Sequence, residues 1–491
     1  MTTDTPSRAP FDEIREEHDS RRVSAFTHDA LGTLDATGVA EEIRAGRISA
    51  EEAVDAAIAR VESVDAVLGA TMVRDFERAR RRAAHVPTGT SAPFAGVPSA
   101  AKDNVHVAGL PMTMGSDALP TAPVAQDGPF VQQLLSTGVV PIATTTTPPF
   151  GWTATTERPD GRATRNPWAT GYSSGGSSGG ASALVASGAL PIAHGNDGGG
   201  SIRIPAAACG LVGLKASRGR LLGDPTTDRT PIAIVVNGVL TRSVRDTANF
   251  MAAAERHQPA AKLPPIGLVE GPGARRLRVG MMVDSPLIGP SDAPTRAAVE
   301  AAGALLTRLG HDVETDLTLP IPQFFKTDFE DYWGLLAHAS VVQGRSLFGK
   351  DFDPSRLDNF TLGLSARTRR RLVRAPLYLT RLAAAGKVSE RLFPGHLDLV
   401  LTPTLSHTTP RIGYLSGDLD FQTHMDRLTQ YVGFTPLHNA NGQPSISLPL
   451  GRTEDGRPIG VMFSARRGQE RLLLELAFEL EAAAPFARID G

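Results

Sequence analysis

At 491 residues and 41% hydrophobic composition the chain can bury a large core, which sets overall disorder aside. A formal net charge of −2, with both signs interspersed, offers no global field for nucleic acid and removes that partner class. The single cysteine, Cys209, excludes an intramolecular disulfide framework and a Cys-based zinc cluster, and is expected to be a small buried apolar residue.

The first residues, MTTDTPSRAPFDEIREEHDSRR, are polar where a signal peptide needs an apolar run, and no stretch reaches the ~20 apolar residues of a membrane span. The expectation is a cytoplasmic protein with no membrane partner, in which the sequon Asn359-Phe360-Thr361 is chance spacing. Residues 1–30 read as a loosely ordered arm, and 31–491 as a single domain with a helical insertion at about 324–394. Val39, Ala40 and Ile43 followed by Gly46 predict a short helix with a glycine stop. Ser49 caps a second helix, whose stripe Val54, Ile58, Val61 lies on one face. GPFVQQLLSTG then VVPIATT reads as helix, turn, strand, and LRVGMMVD with the stripe Val299, Ala302, Leu306, Leu309 as strand then helix. LDLVLTP, SISLPLG and IGVMF are further short strands, and Leu473, Leu476 and Leu480 mark a last helix. Alternation of this kind predicts an α/β fold with a mixed central β-sheet covered by helices on both faces.

Between residues 171 and 215 glycine and serine concentrate in GYSSGGSSGGASALVASGALPIAHGNDGGGSIRIPAAACGLVGLK. A flexible linker would fit the composition, but ASALVASGALPIA and IRIPAAACGLVGL are core patterns, so the glycine clusters sit inside folded segments. Two such turns suit a site where backbone N–H groups converge on developing negative charge, an oxyanion hole. Lys102, in GVPSAAKDNV among Val97, Pro98, Ala100, Ala101 and Val105, is the available base, since desolvation favours a neutral amine. The plainer alternative is a surface lysine paired with Asp103.

Other patterns fit less well. Gly175 to Gly179 matches the GxSxG elbow, but that motif needs a strand just before it and RNPWATGYS does not read as one. Ser99-Ala100-Ala101-Lys102 matches SxxK without the SDN and KTG that should accompany it, and no phosphate or dinucleotide loop occurs. His194, His407, His424 and His438 are candidates for a Ser/His mechanism, and nothing selects one of them. Carboxylates and histidines at metal-ligand spacing are missing, so neither metal nor organic cofactor is expected.

GGSSGG, the 24 positions from Ser177 to Ser201, NDGGGSIRIPAAACGLVGLK and the upstream KDN together resemble the amidase signature family. LTPTLSHTTP, NANGQPSISLPLG and PIGVMFSARRGQERLLLELAFELE extend the resemblance over nearly the whole chain. It implies the amidase-signature fold, with Ser201 as nucleophile, Ser177 as a bridging serine after a cis peptide bond, and Lys102 as the start of the proton relay. It further implies that the N–H groups of Gly198, Gly199, Gly200 and Ser201 form the oxyanion hole, with Asp197 and Arg203 bracing the loop.

Thr144, Thr146 and Pro149 stand where many relatives have lysine, asparagine and glutamate, and Asn196 where many have threonine. HGND and TRNPW are similar to the branch that hydrolyses cyclic nylon-related amides. The implied activity is hydrolysis of aryl or aliphatic amides, extending to cyclic amides, carbamates (urethanes) and esters, by a monomer or homodimer acting on a small-molecule substrate. A glutaminase-type subunit of an amidotransferase and a catalytically silent relative are the rivals.

Phe325, Phe329, Tyr332 or Trp333, and Leu336 repeat at helical spacing, as a core-packed helix or as one wall of a substrate pocket. Phe150, Phe325, Phe329 and Trp333 are the substrate-contact candidates. The arginines of ARTRRRLVRAPLYLTRL read as a solvated helix face in preference to a membrane surface.

Overall fold

Local signals place the first helices. In the computed structural model, which describes residues 20–491 apart from 88, 225, 226, 228 and 229, a helix spans Ala36–Arg44 and the chain turns at Gly46 with φ +69°. The next helix, Ala50–Leu68, begins at a capping box in which Ser49 and Glu52 satisfy each other's backbone N–H groups. Of the expected N-terminal arm, residues 1–19 lie outside the described residues. From Ser20 onward the chain is tied to the body: Val23 N–H donates to Pro167 O at 2.8 Å and Ala25 N–H to Ser187 O at 2.7 Å.

A small sheet holds β1 (Thr71–Arg74), β3 (Val140–Thr145) and β2 (Pro98–Lys102) in that spatial order, with β2 and β3 parallel. A short antiparallel pair follows, β4 (Arg165–Asn166) and β5 (Ala169–Ser173). The large sheet is built from β6 (Ile192–Asp197), β7 (Val212–Lys215), β8 (Val236–Thr241), β9 (Arg278–Met281), β10 (Asp312–Glu314), β11 (Leu399–Pro403), β12 (Ser445–Arg452) and β13 (Pro458–Ala465). Its spatial order among the described residues is β10-β9-β11-β13-β12-β7-β8-β6, parallel from β10 to β11 and antiparallel elsewhere.

Strand alternation sorts the faces. On β13, Val461 and Phe463 enter the main core with Val299 and Leu306 of helix Ala293–Arg308 and Leu473 and Leu476 of helix Glu470–Ala483. Met462 and Ser464, pointing the other way, line a large pocket. The α/β fold expected from the sequence, a mixed sheet covered by helices, is the one observed.

Between β10 and β11 lie helices Phe324–Phe348, Asn359–Arg371 and Ala375–Leu392. Their arginines do more than face solvent. Asp331, 3% exposed, pairs with Arg371 at 2.8 Å and Arg374 at 3.1 Å, and Arg367 reaches Glu330 at 2.7 Å, so the basic stretch ties the three helices together. Among the described residues, no helix is long and apolar enough to cross a membrane.

Candidate active site

Lys102 ends β2 with its side chain fully buried, which rules out the surface pairing with Asp103. Asp103 bonds instead to the N–H and hydroxyl of Thr113. Lys102 Nζ lies 2.7 Å from Ser177 Oγ and donates to Asn196 Oδ1 at 2.8 Å. Burial pushes its ammonium down to about 7, against the opposing pull of Asp197. His194, two residues before Asn196 on the same face of β6, accepts the Lys102 backbone N–H on Nδ1 at 3.0 Å. β6 therefore grips Lys102 at both ends.

The Gly176–Ser177 peptide is cis. The serine is followed by helix Gly179–Ala186 and preceded by β5, so RNPWATGYS does contain a strand, contrary to expectation. Pro167 and Gly171 hide it in the sequence, and part of its backbone pairing comes from far along the chain, with Ser173 N–H donating to Pro410 O at 3.0 Å. The GxSxG reading still fails. Ser177 is 2% exposed and its hydroxyl points at Lys102, not into an open pocket.

Ser201 follows β6 and faces the pocket. Among the described residues its hydroxyl makes no hydrogen bond, to Ser177 or to any histidine. The loop around it is held by one carboxylate. Asp197 accepts from Gly200 N–H at 2.7 Å and from Arg203 Nη2 at 2.8 Å and Nε at 2.9 Å, and both side chains are fully buried. Burial alone would raise the Asp197 carboxyl, but the Arg203 guanidinium holds it well below the usual carboxylate range. Because Gly200 N–H is turned to Asp197, it is not offered to the pocket, a correction to the expected set of donors. The N–H groups of Gly198, Gly199 and Ser201 make no hydrogen bond among the described residues.

Gly200 has φ +135°, and a Cβ there would stand 2.4 Å from Thr435 Oγ1 and 2.6 Å from Ile204 Cδ1, so only glycine fits. Thr435 Oγ1 donates to Gly199 O at 2.6 Å, and Asn439 bridges Arg203 Nη2 at 2.6 Å and Asp197 Oδ1 at 2.9 Å. Sequence reasoning found Asp197 and Arg203 but missed Thr435 and Asn439, which lie more than two hundred residues downstream. For Asn196 it noted an unusual residue without a role.

The pocket encloses about 1080 Å³ of space, its open mouth included, between Ser201, Gly199, Gly151 and Trp152 and the residues Phe325, Phe329 and Trp333 of the helix Phe324–Phe348. Trp333 stands over the glycine loop: a Cβ on Gly198 would lie 3.5 Å from its ring. It also meets Trp152 edge-on with ring centroids 5.1 Å apart. Phe150 is the exception among the four aromatic candidates. It packs into the core against Phe348 at 5.8 Å, and its neighbours Gly151 and Trp152 line the pocket in its place. Tyr332 faces inward too, its hydroxyl donating to Ile232 O at 2.6 Å.

Of the remaining histidines, His407 and His424 do not line the pocket. His424 stacks on Phe360 at 4.0 Å, and burial pushes it down to about 4. His407 bonds to the Thr408 carbonyl, while His438 forms part of the pocket wall. Thr144 and Thr146 brace the small sheet: Thr144 accepts from Val73 N–H at 3.1 Å and Thr146 shares a 2.7 Å bond with Thr164. Among the described residues no group of three or more His, Cys, Asp or Glu side chains could hold a metal ion.

Comparison with known proteins identifies the family and the fold. The family model described as Amidase matches residues 52–474. AmiC of Mycobacterium tuberculosis (strain ATCC 25618 / H37Rv), which carries an amidase name, is 50% identical over 468 residues, covering 95% of this chain and 98% of its own. The 6-aminohexanoate-cyclic-dimer hydrolase of Paenarthrobacter ureafaciens is 36% identical over 475 residues, covering 92% and 95%. A solved 6-aminohexanoate cyclic dimer hydrolase with substrate superposes with a TM-score of 0.81 at 34% identity, over 93% of this chain and 98% of that one. A bacterial aryl acylamidase of the amidase signature family gives 0.79 at 25% identity, over 92% and 96%. The chain belongs to the amidase family and is a hydrolase of amide C–N bonds.

Proposed function

We propose that Ser201 is the nucleophile of this amidase, activated through Ser177 by neutral Lys102. The observation that carries the reading is the 2.7 Å contact between a fully buried lysine amine and the Ser177 hydroxyl beside the pocket. Asn196 takes one Nζ–H, which leaves the nitrogen lone pair free for the Ser177 O–H. When a substrate carbonyl enters, the Ser201 hydroxyl turns to Ser177. Its proton passes to Ser177 Oγ as the Ser177 proton passes to Lys102 Nζ, and Ser201 Oγ bonds to the carbonyl carbon. Negative charge on the carbonyl oxygen meets the N–H groups of Gly198, Gly199 and Ser201 in a loop held rigid by Asp197 and Arg203. Collapse breaks the C–N bond, the departing amine takes the proton back along the relay, and water then releases the acyl group from Ser201.

The pocket wall is mostly apolar and aromatic, which favours neutral aryl or aliphatic amides. Cyclic amides such as the one cleaved by the 36%-identical relative belong to this class, and carbamates and esters would react by the same acyl-serine chemistry. Labelling with a fluorophosphonate tests the assignment. Stoichiometric modification of Ser201, lost in Ser201→Ala, is expected; labelling that persists in the variant would move the nucleophile elsewhere.

A further inference from the structure

Next to the pocket at Ser201 lies a second chamber of about 1000 Å³, its opening included. Ile321, Phe325, Leu437 and His438 line both spaces, so the two adjoin across side chains and no separate element divides them. Leu382, Val388 and Phe393 make the far wall apolar.

Polar and charged side chains, among them Gln443, His438, Asp328 and Arg381, interrupt that wall. Gln443 and His438 are 4% and 5% exposed, and Gln443 Nε2 and His438 Nδ1 have no hydrogen-bond partner among the described residues. The bonding network fixes the Gln443 amide. Its backbone N–H donates to Asn441 Oδ1 at 2.9 Å, so Asn441 Nδ2 is the end that donates to Gln443 Oε1 at 2.8 Å. The end of Gln443 left unpartnered among the described residues is therefore the NH₂, on a side chain that lines the chamber. A bound group that supplies the acceptor completes the bonding of this donor.

Charge narrows the choice of acceptor. Arg381 Nη1 donates to Asp328 Oδ2 at 3.4 Å, and the guanidinium lies over the Phe324 ring at 4.1 Å. All three residues line the chamber, so Arg381, the one cation among its described lining residues, is already matched by an anion, which favours a neutral acceptor over a charged one.

We propose that this chamber receives the far end of an elongated apolar amide that carries a second neutral carbonyl, which accepts a hydrogen bond from Gln443 Nε2. The inference rests on the amide-hydrolase reading of the Ser201 pocket and names the substrate class for it. A second amide suits the site better than a ketone or ester, because burial keeps the His438 ring neutral and an amide, which carries both a donor and an acceptor, can complement Nδ1 in either tautomer.

The test is steady-state kinetics on three kinds of amide: a short acetyl anilide, amides with a plain alkyl arm, and amides whose equally long arm ends in a carboxamide. The arm is placed on the acyl side in one series and on the amine side in another. In one series the terminal carboxamide is expected to lower KM by roughly five- to tenfold against the plain arm, the worth of one hydrogen bond. Gln443→Leu should erase that ratio, and Leu437→Trp, which fills the shared wall, should raise KM for long arms relative to the acetyl anilide. The second variant decides the matter if the first does not fold. A carboxamide that brings no gain in either series, or a ratio that survives Gln443→Leu, overturns the proposal. Failure of the wild type to cleave the acetyl anilide at all would strike the amidase reading instead.

Discussion

Two segments meet across the pocket and are built in opposite ways. From Ser173 to Cys209 nearly every residue is buried, and the chain is held by hydrogen bonds that converge on Asp197, Arg203 and Asn439. From Phe324 to Leu392 the pocket side is aromatic, the helices are joined by ion pairs around Asp328 and Asp331, and much apolar surface stays open. All but one of the large exposed apolar side chains among the described residues, Leu268 being the exception, belong to this second segment. The contrast separates two requirements. Stabilising a transition state demands donors fixed before the substrate arrives, which a buried polar network provides. Choosing a substrate demands shape, and an apolar wall can change shape without disturbing the chemistry beneath it.

The sharpest way to break this division is Ser201→Ala. Turnover of a p-nitroanilide should fall by a factor on the order of 10⁴ or more, the loss seen when a nucleophile is removed from a preorganised site. Activity that survived would mean that the polar segment is not the chemical one. Lys102→Ala comes next. It should cost roughly 10²–10⁴ in kcat on amides and less on activated esters, whose leaving groups need no proton; equal losses on both would sink the relay.

In the wild type the relay needs the neutral amine, so activity should fall as pH drops through about 7, the value to which burial brings Lys102. Asn196 tunes that limb. Asn196→Asp sets a carboxylate against Nζ, favours the ammonium and should move the limb to higher pH. Asn196→Leu removes an acceptor of the ammonium and should move it lower. A pH-rate profile unchanged in both would reduce Asn196 to packing.

Asp197→Asn leaves Arg203 buried without its counter-charge and should lower stability by about 3–5 kcal/mol, read as a shift in the denaturation midpoint. The smallest effects belong to the aromatic wall. Trp333→Ala should raise KM with little change in kcat, while Phe150→Leu, which packs in the core, should lower thermal stability and leave KM nearly alone.

Sequence and structure agree most where local chemistry decides. Ser49 with Glu52 announces a helix start, and the alternation in IGVMF announces a strand with two faces. The glycine-serine clusters and an apolar-flanked lysine suggest an oxyanion hole and a base, and the resemblance to the amidase signature family is what brings Ser177, Ser201 and Lys102 forward as a set. What stayed hidden depends on contacts between distant residues. Nothing in TPLHNAN advertises that Thr435 will hold the Gly199 carbonyl or that Asn439 will sit between Asp197 and Arg203. The family resemblance places Gly200 among the donors, but the direction of its N–H depends on the loop's curl around Asp197. Phe150 looked like a pocket residue by its position, yet at φ +53° its ring swings into the core while Trp152 takes the wall.

The reach of Asn439 and Ser445 back to Arg203 has a consequence for how the protein is made. These bonds span 236 and 242 residues of chain. While the ribosome is still adding the residues before Thr435, Ser201 and its glycine loop already exist as sequence but lack the clamp that shapes them. Synthesis therefore separates having the residues from having the enzyme, and in a nascent chain the proposed centre stays unassembled until the residues from Thr435 to Ser445 have emerged.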